Sequence, residues 1–157
     1  KPTIVLNSVH EITTEILAKN GIKGLILDLD NTLTTHNNPK PADGVLDWIE
    51  KMKSSGIKLM IVSNNNHNRV KPFAEVLQLE FESNGAKPLP LGFHRAAERM
   101  GIPLISIAAV GDQLFTDILG ANISKIKSIF VFPFEPEKGI LFAAKRFLEK
   151  PFLPKRS

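Results

Sequence analysis

The segment Gly24-Leu25-Ile26-Leu27-Asp28-Leu29-Asp30-Asn31-Thr32 decides how the whole chain is interpreted. Its first four residues form an apolar run that predicts a buried strand, and two carboxylates one residue apart follow directly. Ligands bind beyond the carboxyl ends of the strands in an open α/β sheet, so Asp28 and Asp30 are expected at that edge. Two acids held this close repel each other unless a cation or a shared proton offsets their charge. The pair therefore indicates a metal site, a catalytic dyad or both.

Stretches typical of strands alternate with stretches typical of helices along the chain. Strands are predicted at Gly24–Leu29, Ile57–Val62, Ile105–Val110 and Ser128–Phe132, with a short extended piece at Glu80–Glu82. Helices are predicted from Thr13 or Thr14 to Asn20-Gly21, at Ala42–Ser55, around Val70 to Leu77, and at Leu91–Met100, Thr116–Ile123 and Gly139–Glu149. In the third of these helices, Pro72 is expected in the first turn, where its missing N–H costs least.

Strands joined by helical crossovers imply a parallel sheet with right-handed connections. We therefore expect a single three-layer, doubly wound, Rossmann-like α/β domain over residues 1–157, with a basic tail at 150–157. A chain of 157 residues, 43% apolar and 23% charged, has the size and composition of one soluble globular domain. Nothing in the pattern indicates a repeat, a linker or a second domain.

Composition narrows the class of protein further. The chain has no cysteine, which excludes disulfides, thiolate metal sites and cysteine nucleophiles. No stretch approaches the ~20 apolar residues of a membrane span, and no secretory signal is visible. These features predict a cytoplasmic protein, with peripheral contact to the inner face of a membrane left open. The net charge of +4 favours anionic partners such as phosphorylated substrates, nucleic acid or an acidic membrane face.

Four polar segments each follow a predicted strand and would meet at one edge of a parallel sheet. They are Asp28–Thr32, Ser63-Asn64, Lys87-Pro88, and Gly111-Asp112 with Asp117 five residues on. Such a set suits phosphoryl transfer, because one carboxylate can attack phosphorus and a second acid can protonate the leaving oxygen and then activate water. Mg²⁺ prefers oxygen ligands, and a hydroxyl, backbone amides and a lysine can hold the phosphate oxygens.

In this order the four segments resemble the motifs of the haloacid dehalogenase (HAD) superfamily of aspartate-nucleophile phosphohydrolases, from about residue 24 to 132. Gly21-Ile22-Lys23-Gly24 and the segment 111–117 resemble the subfamily IIIA, YqeG-type branch, which is similar to phosphatases of phosphatidylglycerophosphate. The resemblance implies a Mg²⁺-dependent phosphatase that hydrolyses a phosphate monoester through an aspartyl-phosphate. Phosphatidylglycerophosphate is the best guess for the substrate, and a phosphorylated protein or a nucleotide is the nearest alternative.

The resemblance also implies a role for each residue. Asp28 would be the nucleophile and a Mg²⁺ ligand. Asp30 would be the general acid and base, with its backbone carbonyl on the metal. Lys87 would neutralise the nucleophile and hold the transferred phosphate. Thr32 would help orient the first loop, and it would bind substrate together with Ser63 and Asn64, with the Ser63 hydroxyl bonded to the phosphoryl group. Asp112 would ligate Mg²⁺, and Asp117 would support the metal shell directly or through water.

Two features narrow the implied reaction. Dehalogenases of the superfamily lack an acid at the place of Asp30, so hydrolysis of a phosphate ester is favoured over carbon–halogen chemistry. The loop Thr34–Pro41 is too short to form a cap domain, and no long insertion separates Ser63 from Lys87. Members without caps have open sites and tend to take bulky substrates. A mutase, which needs an enclosed site to exclude water, is not expected.

Other interpretations of these residues stay open. An Asp-x-Asp can simply cap a loop, and Asp117 can cap the helix that follows it. The four histidines form no metal-spaced cluster, but His36 and His67 fall on loops near the predicted site, where they can touch substrate. The fold could also serve as a basic module that binds RNA or an assembly partner. The set of acids argues against that function, because a protein that binds polyanions gains nothing from a focused negative site.

The C-terminal stretch is ambiguous. Apolar residues between 140 and 148 alternate with Lys145, Arg146 and Lys150, and Phe152-Leu153 precedes Lys155-Arg156. This pattern predicts either a helix packed on the sheet with a solvated tail or an amphipathic surface that meets an anionic membrane.

Overall fold

Six parallel strands form one sheet in the computed structural model, which describes residues 1–135 and 140–155. The strands are β1 (Ile4–Leu6), β2 (Gly24–Leu27), β3 (Lys58–Val62), β4 (Glu80–Glu82), β5 (Ile107–Gly111) and β6 (Lys127–Val131). Their spatial order is β1-β6-β5-β2-β3-β4, and every neighbouring pair is parallel. The predicted parallel α/β sheet is therefore confirmed, with β2 at its centre.

The helices are α1 (Thr14–Lys19), α2 (Val45–Ser54), α3 (His67–Leu77), α4 (Leu91–Met100), α5 (Leu119–Ile123) and α6 (Ile140–Glu149). Short 3₁₀ turns lie at Val9–Glu11, Leu104–Ser106 and Lys150–Phe152, and Leu114–Ile118 forms a π-helical turn. Within the described ranges, no inserted domain covers the carboxyl edge of the sheet, as expected for a chain without a cap. No helix of those ranges has both the length and the apolarity that a membrane span requires.

Both faces of the sheet carry an apolar core, which explains why β2 is apolar throughout. Leu25 and Leu27 point into a cluster shared with α2 and α3, whereas Ile26 points into a second cluster shared with α4 and α5. Since successive side chains of a strand face opposite sides, a strand covered on both sides reads as a continuous hydrophobic run. The three-layer arrangement follows from that burial.

The structure corrects several sequence-based boundaries. Strand β1 was not predicted, because three residues at a sheet edge give no periodic signal. Residues 104–106 form a 3₁₀ turn, so β5 begins two residues later than predicted. Pro72 lies in the second turn of α3, and its placement in the first turn is wrong. The reason is that Asn66 caps the helix by accepting a hydrogen bond from the Arg69 N–H, which starts the helix at His67.

The predicted C-terminal helix is present as α6, and the first residue of its predicted range, Gly139, lies outside the described residues. The predicted tail begins with the 3₁₀ turn at Lys150–Phe152. Arg156 and Ser157, at the end of that tail, also lie outside the described residues.

Candidate active site

The first loop turns sharply at the end of β2. The Asp28 N–H still bonds to the Val110 carbonyl of β5 at 2.9 Å, so the ladder holds the backbone of Asp28. Asn31 then adopts a left-handed conformation with φ of 59°, which asparagine tolerates better than most residues. This turn leaves the Asp28 side chain 12% exposed at the floor of a cleft. A strand that ends in a tight turn thus fixes the carboxylate at the sheet edge.

Lys87 connects two of the acids. Its Nζ lies 2.6 Å from Asp28 Oδ1 and 2.6 Å from Asp117 Oδ1. Asn64 holds the backbone of the same lysine, because Asn64 Oδ1 accepts from the Lys87 N–H at 2.7 Å and Asn64 Nδ2 donates to the Lys87 carbonyl at 3.0 Å. Asn64 therefore positions Lys87, whereas the sequence predicted only a role in substrate binding for Asn64.

Three carboxylates gather beside this lysine. Asp28, Asp112 and Asp117 each offer one oxygen, and these oxygens lie within 4.8 Å of one another. Asp112 and Asp117 are buried, and Asp117 Oδ2 also accepts from the Gln113 N–H at 3.2 Å. Carboxylates held this close to one another repel each other unless positive charge offsets them. Oxygen donors of this kind fit a hard divalent cation such as Mg²⁺.

The pKa values of Asp28 and Lys87 reflect how close these charges lie. Burial, and after it the charge of Asp117, raise the pKa of Asp28 from its ordinary 3.8 to about 7, against the opposing effects of Lys87 and the Leu29 N–H. Burial by itself lowers the pKa of Lys87, but Asp117 and Asp28 outweigh it and hold that pKa above the ordinary value. Lys87 is therefore charged where it lies between Asp28 and Asp117.

Asp30 lies apart from this cluster and has its own set of donors. Arg69 Nη2 donates to Asp30 Oδ1 at 2.8 Å, and Asn65 Nδ2 donates to Asp30 Oδ2 at 2.6 Å. The Asn37 N–H adds a third bond at 3.0 Å. The carboxylate is thus oriented from three sides, and it stands outside the group of three acids that could hold a cation.

A cavity of about 200 Å³ opens above these residues. Five of the residues expected in the site line it, namely Asp28, Asp30, Ser63, Asn64 and Lys87. Five others that line it are His36, Asn65, Gln113, Thr116 and Lys145. Thr32, Asp112 and Asp117 are buried and are not part of the lining. All four predicted segments thus meet at one edge of the sheet.

The two histidines that were expected near the site behave differently. His36 lines the cavity, whereas His67 begins α3 and stacks obliquely on Phe81, with ring centroids 5.4 Å apart. The expectation that His67 can touch substrate is therefore not supported by its position.

Sequence reasoning did not single out several residues of the site. Asn65 donates to both Asp30 and Ser63 Oγ, and Arg69 pairs with Asp30 from the first turns of α3. Asn65 belongs to the run Asn64-Asn65-Asn66, whose composition is typical of a turn. Arg69 carried no local signal, because its contact depends on how α3 is oriented and not on spacing along the chain.

Several known proteins resemble this chain. The family model of haloacid dehalogenase-like hydrolases matches residues 36–123. The Bacillus subtilis (strain 168) protein named "Probable phosphatase YqeG" is 38% identical over 152 residues, which cover 97% of this chain and 88% of that protein. An uncharacterized protein from Listeria monocytogenes serotype 4b superposes with a TM-score of 0.60 at 18% identity, covering 82% of this chain and 99% of that chain.

Magnesium-bound YfnB from Bacillus subtilis superposes with a TM-score of 0.52 at 19% identity, covering 59% of this chain and 45% of that chain. At such low identity, these two structures show a shared fold alone. The family model and the relative from Bacillus subtilis carry the assignment, since one matches more than half of the chain and the other nearly all of it. The chain therefore belongs to the haloacid dehalogenase-like hydrolases, as a phosphohydrolase of the YqeG type.

Proposed function

We propose that this phosphohydrolase is Mg²⁺-dependent and hydrolyses a phosphate monoester through an aspartyl-phosphate on Asp28. The observation that carries the proposal is the shared lysine: Lys87 Nζ lies 2.6 Å from both Asp28 and Asp117, beside the third acid, Asp112. A nucleophilic carboxylate must remain charged while a phosphate dianion approaches it, and an adjacent cation reduces that repulsion.

Asp28, Asp112 and Asp117, with the backbone carbonyl of Asp30, would hold the metal. Their clustered carboxylate oxygens support a hard divalent cation, and the structural neighbour YfnB was determined with magnesium bound. When bound, Mg²⁺ would neutralise these carboxylates and polarise the oxygens of the phosphate.

The side chains of the chain would divide the remaining work. An oxygen of Asp28 would attack phosphorus, and Lys87 would hold charge on the transferred group. Ser63 Oγ accepts from the Asn65 N–H at 3.1 Å, which leaves its hydroxyl proton to donate to a phosphoryl oxygen. Asp30, oriented by Arg69, would give a proton to the leaving oxygen and take one from the water that hydrolyses the aspartyl-phosphate.

The size of the cavity supports a bulky substrate that is only partly enclosed. About 200 Å³ is smaller than the ~300–1,000 Å³ of pockets that enclose drug-sized ligands. It would hold the phosphate and the adjoining part of the leaving group, while the rest stays outside. Phosphatidylglycerophosphate is the best guess by resemblance, and a phosphoprotein or a nucleotide is the alternative.

A peripheral membrane contact is part of the proposal for a lipid substrate. Phe147 and Phe152 are 74% and 70% exposed, and Lys150 and Lys155 are exposed near them. Exposed aromatic side chains can enter the headgroup region, while cations meet anionic lipids. Co-sedimentation with phosphatidylglycerol vesicles should fall for Phe147→Ser/Phe152→Ser and not for Leu46→Ser on the exposed face of α2. Equal binding by the wild type, the double phenylalanine variant and Leu46→Ser would contradict the membrane contact, and so would the absence of binding by all three proteins.

Turnover of p-nitrophenyl phosphate tests the chemical part of the proposal. Activity should require Mg²⁺, stop with EDTA, and be absent in Asp28→Asn, because an amide cannot form the acyl-phosphate. Asp47→Asn, on the exposed side of α2, is the matched control and should keep wild-type activity. Undiminished turnover by Asp28→Asn would refute Asp28 as the nucleophile. Activity of the wild type on a panel of phosphorylated lipids, proteins and nucleotides would identify the substrate class.

A further inference from the structure

Helix α6 brings a cation to the cavity that the proposed chemistry does not use. Lys145 lines the cavity together with Asp28, Ser63 and Lys87. Its Nζ donates to Gln113 Oε1, and the same oxygen accepts from Thr116 Oγ1 at 3.1 Å. The lysine is half-buried, so its ammonium is held at the wall of the cleft and does not extend freely into solvent.

The helix that carries Lys145 is attached to the site at a second point. Glu149, four residues on and 0% exposed, accepts a hydrogen bond from the Phe115 N–H at 3.1 Å. Residues four apart lie on the same side of a helix. One side of α6 is therefore bonded to Gln113 and Phe115, the segment that leads into Asp117. The fold, and not chance, sets the position of Lys145 over the cleft.

No carboxylate of the described residues pairs with Lys145, whereas the other cations of the cavity are paired. Lys87 is shared by Asp28 and Asp117, and Arg69 is paired with Asp30. Lys145 instead donates to a neutral amide and, among residues 1–135 and 140–155, forms no ion pair. An ammonium has three donor hydrogens, and within the part of the chain that the structure describes only one of them is bonded, which leaves two that can reach a ligand.

We propose that Lys145 binds a second anionic group, carried by the leaving group of the substrate close to the scissile phosphate. The proposal rests on the proposed phosphatase function and specifies its substrate class: monophosphate esters whose alcohol part bears its own phosphate or carboxylate. The scissile phosphate would already have Lys87 and Ser63. A further cation at the wall favours substrates with negative charge beyond the bond that breaks.

Three substrates built on the same three-carbon skeleton test this inference. Glycerol 3-phosphate has no second anion, 3-phosphoglycerate adds a carboxylate, and glycerol 1,3-bisphosphate adds a phosphate. With Mg²⁺ present, kcat/KM should be higher for the two doubly anionic substrates than for glycerol 3-phosphate. The preference is expressed as the ratio of kcat/KM for a doubly anionic substrate to kcat/KM for glycerol 3-phosphate. Lys145→Gln should lower that ratio roughly ten- to hundredfold, mainly through KM, because a charge-assisted hydrogen bond is lost. Lys145→Arg should restore most of it.

Lys51→Gln is the matched control, since Lys51 is exposed on α2 and does not line the cavity. Its ratio should equal that of the wild type. A ratio that Lys145→Gln leaves unchanged, or an equal fall for all three substrates, would overturn the inference. The difference between carboxylate and phosphate substrates tells which second anion is preferred.

Failure of the proposed function is a separate outcome. If the wild type hydrolyses neither these substrates nor p-nitrophenyl phosphate, the phosphatase assignment on Asp28 fails. Calorimetry with Asp28→Asn then still decides the role of Lys145. Glycerol 1,3-bisphosphate should bind more tightly than glycerol 3-phosphate, and adding Lys145→Gln should remove the difference. Equal affinities in both proteins would refute the second anion site.

Discussion

The metal-free protein should lose stability as the pH rises, and Asp28→Asn should remove that loss. Burial together with Asp117 raises the pKa of Asp28 from 3.8 to about 7. The folded state therefore holds this proton more tightly than the unfolded chain. Its contribution to stability is fully present below about pH 4 and disappears as the pH rises through about 7. At 1.36 kcal/mol for each pH unit between the two pKa values, the loss is on the order of 4 kcal/mol.

Urea unfolding in EDTA, followed from pH 5 to pH 8, measures this effect. The free energy of unfolding of the wild type should fall across that range, whereas Asp28→Asn has no charge to acquire at position 28. The variant should therefore be the more stable protein at pH 8, by roughly 2–4 kcal/mol, with a smaller difference at pH 5. Lys87 keeps Asp117 as a partner in both proteins, so its own ion pair does not account for the difference.

The same unfolding measurement with Mg²⁺ in place of EDTA provides a second test. A cation that binds only the folded state should stabilise the wild type at pH 8, and it should stabilise Asp28→Asn less, because one ligand charge is missing. Asp47→Asn controls for the loss of an ordinary surface carboxylate. The reasoning is refuted if Asp28→Asn is less stable than the wild type at pH 8 in EDTA, since Asp28 would then be a net stabilising charge.

Three further predictions concern other parts of the site. Asp30→Asn should slow turnover of p-nitrophenyl phosphate by roughly 10²–10⁴ through loss of general acid and base catalysis, and an unchanged rate would remove Asp30 from the mechanism. Asn64→Ala removes both hydrogen bonds to the peptide of Lys87 and should lower kcat by about tenfold or more; wild-type kcat would show that Lys87 needs no such support. In Gly92→Ala, the new Cβ would lie 2.6 Å from the Gly85 carbonyl oxygen, so thermal unfolding should reveal a loss of about 1–3 kcal/mol, against no loss in exposed His94→Ala.

The sequence predicted the centre of the fold better than its edges. Strands β2 and β3 are nearly continuous apolar runs because helices cover both of their faces, and such runs are visible without any structure. Strand β1 is three residues long and pairs only with β6, so its existence depends on an edge that the sheet provides. The start of α3 was missed for a different reason: the Asn66 cap lies within the run Asn64-Asn65-Asn66, whose composition is typical of a turn and not of a helix.

The candidate site also has a part that the sequence predicts and a part that it does not. Residues that directly follow a strand could be placed together from the chain alone, because parallel strands end at a common edge. The contacts of Arg69 with Asp30 and of Lys145 with Gln113 depend on the orientation of α3 and α6 over that edge, which no local pattern encodes. Asn64 shows the limit most clearly, since its position was predicted but its bonds to the peptide of Lys87 were not.

The three acids of the cluster come from two kinds of element, two strand ends and one helical turn, and the structure holds each kind differently. Asp28 and Asp112 follow adjacent strands whose register pairs Leu27 with Val110, so the backbone ladder sets their separation whatever their charges. Asp117 comes instead from the π-helical turn, where the Gln113 N–H and Lys87 hold it. Repulsion can therefore move Asp117 more readily than it can move the other two acids. A cation that binds all three should order the turn at 114–118 more than either strand, and hydrogen exchange with and without Mg²⁺ should show its protection there. Equal protection of the turn and of β5 would mean that the ladder, and not the ion, holds Asp117 in place.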